Sequence, residues 1–185
     1  MSTINLDPTL YTTRPTDERL PKEARVYDLL ESLRVPFIRV DHEATATIEA
    51  CLEVEKLLDI AICKNLFLTN AQKSRFYLLM MPGEKHFATK ILSKQIGSAR
   101  LSFAGPEYME KYLDITPGAV SVLGLMNDPD NMVELLIDRD VVQHEFIGCH
   151  PCVNTSSLKL KTSDVLDVIL PAIHHEPRYV DLTEA

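Results

Sequence analysis

Tryptophan is absent from the 185 residues, and the six glycines are scattered rather than clustered. The first absence leaves any stacking on nucleic-acid bases to Tyr, Phe, His or Arg. The second removes the Gly-rich loop with which many nucleotide enzymes cradle phosphates. No apolar run is long enough to cross a bilayer, and neither internal repeats nor low-complexity tracts occur. The G-x-S-x-G elbow and the H-E-x-x-H zinc helix are both missing. Nothing in the sequence therefore marks a protein nucleophile, and neither a metal nor a cofactor is expected. The first residues carry Asp7, Arg14, Asp17 and Glu18 without an apolar stretch. That is unlike a secretory leader, and the cytoplasm is the expected location.

Cysteine is scarce. Cys51, Cys63, Cys149 and Cys152 are the four, and in a cytosolic chain they are expected to be reduced. Cys149-His150-Pro151-Cys152 has the C-x-x-C form of a redox or zinc site. A reactive dithiol normally sits at a helix N-terminus, whereas this pair falls between two strand-like runs. Zinc needs two further ligands, and His144 and His150 match no common spacing. Two inert thiols are the favoured reading, with redox and metal roles as its rivals.

The chain has a globular mixture, 45% hydrophobic and 25% charged, which suits one ordinary domain. Its net charge of −8 argues against non-specific binding to nucleic acid, and DNA is not an expected partner. The charge is unevenly spread. Between Lys64 and Lys111 eight basic residues face only three acidic ones, Glu84, Glu107 and Glu110. Such a window can touch a few phosphates without gripping a long duplex, or it can be a solvated surface and nothing more.

Periodicity and punctuation outline the elements. Residues 1–20, with Pro8 and Pro15, read as an arm, and 21–185 as one domain. Helices are expected over about 22–34, 48–58, 88–96, 106–113 and 164–170. The second has Thr47 as N-cap and the fourth has Pro106 near its start. Strands are expected at 37–40, 62–68, 75–81, 119–125, 133–138 and 153–160, with an irregular tail from His174. Short turns join several strand pairs, which a regular parallel βαβ array does not allow. The expected fold is an α/β (α+β) domain with a central, mixed, mostly antiparallel sheet surrounded by helices. Lys64 is a charge planted in an apolar strand, a local conflict of the kind found at functional sites.

Five segments in order carry a resemblance. They are His42-Glu43-Ala44 through Thr47-Ile48-Glu49, Cys63-Lys64-Asn65-Leu66-Phe67-Leu68, and Ala99-Arg100-Leu101-Ser102-Phe103-Ala104. Then come Thr116-Pro117-Gly118-Ala119-Val120 with Gly124-Leu125-Met126-Asn127-Asp128, and His150-Pro151-Cys152-Val153-Asn154-Thr155. Together they resemble the YbaK/ProX family, free-standing relatives of the editing insertion domain of bacterial prolyl-tRNA synthetases. The resemblance implies hydrolysis of a mischarged aminoacyl-tRNA, above all Ala-tRNA(Pro). It maps the family's strand lysine onto Lys64 as the catalytic anchor, and Thr47, Asn65, Gly118 and His150 onto the substrate pocket. Arg100 is expected to contact the tRNA. One departure is Val122, where many relatives have proline four residues after the loop glycine.

The expected mechanism needs little from the protein, because an aminoacyl ester is already reactive. Lys64 would hold the 3′-terminal nucleotide, and water would attack with help from the terminal ribose hydroxyl. Backbone at Gly118 would polarise the carbonyl. Each residue has a plainer role as well. Lys64 can snorkel, Thr47 can simply cap, Gly118 can simply turn, and His150 can be a satisfied core histidine. Rival functions are deacylation of Cys-tRNA(Pro) or a Ser-charged tRNA, a non-catalytic tRNA- or synthetase-binding module, and a thiol oxidoreductase. The partners expected are the tRNA acceptor end and, with it, prolyl-tRNA synthetase or an elongation factor; a membrane is not.

Overall fold

The computed structural model describes residues 4–44, 48–61 and 63–183. Its elements run α1 (Pro21–Ser32), β1 (Ile38–Asp41), α2 (Ile48–Leu58), β2 (Cys63–Asn70), β3 (Phe76–Pro82), α3 (Thr89–Ile96), β4 (Leu101–Phe103) and α4 (Pro106–Leu113). After a 3-10 turn (Val122–Asn127) come β5 (Val133–Asp138), a short 3-10 turn, β6 (Phe146–Cys149) and β7 (Ser156–Lys161). A helical stretch follows, made of α5 (Thr162–Asp164), a π-helical turn (Val165–Ile169) and α6 (Leu170–Ala172), and then β8 (Pro177–Val180). Among the described residues no helix is long and apolar enough to cross a membrane.

The expected mixed α/β domain is observed, with its strands divided between two sheets. A five-stranded sheet has the order β4-β2-β3-β5-β8, and a three-stranded sheet has the order β1-β7-β6. Four strand pairs are antiparallel, while β3–β5 and β5–β8 are parallel. In β2 the side chains alternate. Phe67 joins the main core with Tyr27, Leu78, Met80 and Leu113. Leu68 joins a second core with Tyr77, Leu79, Met81 and Leu92 of α3. One face of the large sheet therefore packs on α3, and the other on α1, α4 and the small sheet. Val54 and Leu58 of α2 pack on Val40 in a third cluster.

Local chemistry sets most boundaries. Pro21 and Pro106 open their helices, where the missing N–H has no partner to lose. Gly97 closes α3 at φ 66°, a left-handed cap that suits glycine. Residues 119–125 are not the expected strand. Ser121 Oγ accepts from Leu123 N–H (3.2 Å) and starts the 3-10 turn, and Val122 is its first residue, buried in the core. An apolar run alone does not separate these outcomes.

The last helix also differs from expectation. It continues through Pro171, because the π-helical turn before it relieves the clash and lost hydrogen bond that proline brings to an α-helix. The tail is ordered where irregular chain was expected. Pro177 begins β8, an edge strand in which proline is tolerated at the first position. The short edge strand β4 was not foreseen either. The arm is tied down too: isolated bridges join Leu6 to His42 and Tyr11 to Arg39.

Candidate functional site

A cavity lies where the two sheets approach each other beneath α2. Its volume is about 240 Å³, slightly below the usual range for pockets that hold drug-sized ligands. Cys51 and Val54 of α2, Ile60 and Val120 give it an apolar side. Cys63 and Asn65 come from β2, Gly148 and Cys149 from β6, Ser157 from β7, and Gly118 and His150 from loops. Among the described residues no charged side chain is part of this lining.

Asn65 is presented by strand alternation. It pairs with Met80 across the β2–β3 ladder and so shares the main-core face with Phe67. Its Oδ1 is buried and has no hydrogen-bond partner. An orphaned buried acceptor costs about 1–3 kcal/mol, so this atom marks a place where a donor from outside is wanted.

Gly118 occupies the third position of the turn Thr116-Pro117-Gly118-Ala119, closed by Ala119 N–H to Thr116 O (3.2 Å). Its φ is 93°, which fits a type II turn with proline second and glycine third. A Cβ there would meet only Asn154 Nδ2 at 3.5 Å, so backbone angle and not space demands glycine. At Gly148 the reason is reversed. A Cβ would lie 2.2 Å from Ile60 Cδ1, so glycine lets Ile60 close over the cavity.

Two imidazoles stand near each other, with ring centroids 6.2 Å apart. His150 Nδ1 lies 2.8 Å from Ser156 O. A carbonyl only accepts, so Nδ1 carries the proton and Nε2 of the neutral ring keeps its lone pair. His42 Nδ1 lies 2.7 Å from Glu43 O, which likewise leaves Nε2 to accept from the Ser157 hydroxyl (2.8 Å). Ser157 spends its hydrogen on His42, so its oxygen offers lone pairs at the cavity wall. Burial holds both histidines below the ordinary 6.5, and both are neutral at pH 7. Asn65 Oδ1, His150 Nε2 and Ser157 Oγ thus give the cavity three uncharged acceptors.

The cavity gathers Asn65, Gly118 and His150 from the sequence-predicted set. It does not gather Lys64. Lys64 pairs with Met81 and therefore faces the second core, opposite to Asn65. Its Nζ donates to Lys85 O (2.7 Å). That carbonyl is well anchored, because Lys85 Nζ is ion-paired with Asp138 (2.8 Å) and Asp140 (2.7 Å). The two-residue period of a strand sends these neighbours, Lys64 and Asn65, to opposite faces. Arg100 is exposed just before β4 and is not part of the lining. Thr47 lies outside the described residues.

His42, Ser157 and Gly148 were not singled out as site residues from the sequence. A lone glycine in a strand pattern is a sign of close approach and signals Gly148. The other two are brought in by β1–β7 pairing, which no local pattern reveals. The thiols are held protonated. Burial pushes Cys63 and Cys152 up to about 12, and Cys149 upward as well. Among the described residues no cysteine is in a disulfide.

The model of the aminoacyl-tRNA editing domain family matches residues 42–168. The prolyl-tRNA editing protein ProX of Acetoanaerobium sticklandii is 34% identical over 144 residues, spanning 76% of this chain and 85% of that protein. The prolyl-tRNA synthetase associated domain-containing protein 1 of Danio rerio is 26% identical over 152 residues, 81% of this chain and 82% of its own. A crystal structure provisionally described as a trans-editing enzyme for prolyl tRNA synthetase superposes with a TM-score of 0.66, covering 91% of this chain and all of that one. At 15% identity that last likeness is one of fold.

Proposed function

We propose, from the premise that the chain belongs to the aminoacyl-tRNA editing domain family, that it hydrolyses the ester of a mischarged tRNA(Pro), with alanine as the residue removed. The observation that carries this reading is the small cavity holding the orphaned Asn65 Oδ1. An α-ammonium group is a donor of the kind that atom lacks. The apolar flank of Val54, Ile60 and Val120 suits a methyl side chain. A proline-activating site discriminates weakly against a smaller amino acid, since each missing methylene is worth only about 1–3 kcal/mol. A separate small pocket then sorts by size, admitting alanine and excluding proline.

The chemistry asks for orientation more than for activation. Water attacks the ester carbonyl. The lone pair of His150 Nε2 orients that water or the terminal ribose hydroxyl, and the Gly118 N–H is aimed at the developing oxyanion. The tRNA 3′ oxygen leaves with the proton delivered from the water. Lys64 acts from the other face of the same strand. It uses one N–H on Lys85 O, and its remaining donors suit a phosphate of the terminal nucleotide.

The uncharged acceptors also give a second reading some support. A seryl hydroxyl or cysteinyl thiol can donate to Asn65 Oδ1 as an ammonium can. The deciding experiment measures deacylation of Ala-, Cys-, Ser- and Pro-charged tRNA(Pro) by the purified protein. The proposal expects Ala-tRNA(Pro) to be cleaved fastest and Pro-tRNA(Pro) to be spared. Faster turnover of the Ser or Cys ester moves the substrate. Binding without turnover of any of the four makes the protein a recognition module.

A further inference from the structure

The histidine of the cavity is held from a part of the chain that precedes residues 42–168, which the family model matches. We propose that Arg19, on the N-terminal arm, is a positioning residue for His150 and acts through Asp41 and Ser156; this rests on the reading of the cavity as the deacylation site. The path is continuous. Arg19 Nη2 donates to Asp41 Oδ2 (3.0 Å), and Nη1 lies 3.4 Å from both Asp41 Oδ1 and Ser156 Oγ. Ser156 Oγ donates to Asp41 Oδ1 in a short hydrogen bond. Ser156 is fully buried (0% exposed), and its carbonyl receives the His150 Nδ1 proton at 2.8 Å.

The consequence lies in the imidazole tautomer. A neutral ring has one N–H. Fixing it on Nδ1 leaves Nε2 as an acceptor; releasing it lets the ring adopt the other tautomer, with a donor where the acceptor stood. The side chain of Ser156 is clamped so that its carbonyl stays in place, and the clamp is Asp41. Two guanidinium groups hold that carboxylate, Arg39 from its own strand and Arg19 from the arm.

Arg19 has a second task that makes its loss specific. It also pairs with Glu23 (3.2 Å), which is only 2% exposed. Without Arg19, Glu23 and Asp41 are two carboxylates with Arg39 alone between them. Mutual repulsion then displaces or protonates Asp41, and in either state its hydrogen bond with Ser156 changes. The arm is itself fixed for this work. Tyr11 N–H donates to Arg39 O (2.9 Å), and the Arg39 guanidinium lies 4.3 Å from the centre of the Tyr11 ring.

The test uses the full chain in two variants. Arg19→Met combined with Glu23→Gln removes one cation and one anion together, so no buried charge is left without a partner. With no repulsion from Glu23, the variant reads the direct contacts of Arg19 with Asp41 and Ser156 alone. Arg19→Lys keeps the charge and loses the two-pronged geometry. Nitrogen-15 shifts of the His150 ring report the tautomer without substrate, and single-turnover deacylation of Ala-tRNA(Pro) reports the rate. The double variant is expected to melt cooperatively and to lose the pure Nδ1–H signature. Its deacylation rate should fall about tenfold to a hundredfold, as expected for a reacting group misplaced by an ångström or less, with KM changed less than about twofold. Arg19→Lys should show part of both changes. Wild-type His150 spectra and rates in both folded variants would overturn the proposal. A shifted tautomer in a protein whose wild type deacylates no tRNA would support the positioning path and sink the proposed reaction alone.

Discussion

The middle strand of the large sheet, β3, is buried at all seven positions and carries no charged side chain. In the small sheet, β1 buries Arg39, and β7 begins with buried Ser156 and Ser157. The large sheet is held by apolar contact from both faces, which is stable and chemically mute. The small sheet buries polar and charged groups that stabilise the fold only when every partner is in place. His42 and His150 both depend on it, through Ser157 and the Ser156 carbonyl. The difference makes β3 scaffold, while the site is shared between the small sheet and the Cys63–Asn65 end of β2.

The strongest way to break this division is to cut into the scaffold. Leu79, fully buried at the centre of β3, becomes a cavity on Leu79→Ala. The cost is about 2–5 kcal/mol, read as a lower urea midpoint. The remaining folded protein should deacylate at the wild-type rate, since Leu79 faces α3 and not the site. A large loss of turnover per folded molecule would show that β3 is not scaffold alone.

Lys64 tests the face of the large sheet opposite the cavity. If Lys64 holds a phosphate as proposed, Lys64→Ala removes one charge-assisted contact, worth about 1.5–3 kcal/mol. It should lower kcat/KM about tenfold to a hundredfold, mostly through KM, because the amine faces away from Asn65. A collapse of kcat with unchanged KM would instead place the amine at the reacting ester. Asn65→Leu has two effects of opposite sign. Replacing the orphaned acceptor by an apolar group of similar shape should raise stability by about 1 kcal/mol, while deacylation falls. Lower stability in that variant would mean that Oδ1 is satisfied within the fold.

Acid should find the small sheet first. Both imidazoles are held below the ordinary 6.5 by burial, so the unfolded chain takes up protons that the folded chain refuses. Their contribution is complete above 6.5 and is lost as pH falls through the folded values. Asp41 adds a later loss. Burial pushes its carboxyl up, but hydrogen bonds from Arg19, Arg39 and Ser156 together outweigh this and hold it at about 2 against the ordinary 3.8. Melting curves should therefore show Tm declining just below pH 6.5, with a further decline in the range of Asp41. A flat Tm from neutral pH down to that range would contradict the two buried neutral histidines.

The sequence was legible where local rules govern. Prolines and glycine marked the ends of α1, α3 and α4, and Pro117-Gly118 gave the turn at the cavity. It was less legible where long-range pairing decides. The separation into two sheets, the strand at 177–180 and the joining of His42 to Ser157 across 115 residues have no local signature. Lys64 is instructive because the residue was noticed for its charge in an apolar strand, while its direction depended on register. Asn65, one residue on, has the orphaned atom, and only the pairing with β3 shows that the two neighbours look opposite ways.

The smallest effect is expected at Cys152, and it separates two kinds of burial. Cys152 is 1% exposed, and burial keeps its thiol protonated up to about pH 12. A dithiol mechanism needs a thiolate near neutral pH and needs both sulfurs. Cys152→Ala therefore ends any redox function in one step. For an ester hydrolase that uses Asn65, Gly118 and His150, the same change removes only packing, because Cys152 does not line the cavity. Deacylation should stay within about twofold of wild type and stability should fall by about 1 kcal/mol, the common cost of a single substitution. Loss of turnover in a variant that still melts cooperatively would return the thiols to the chemistry of the site.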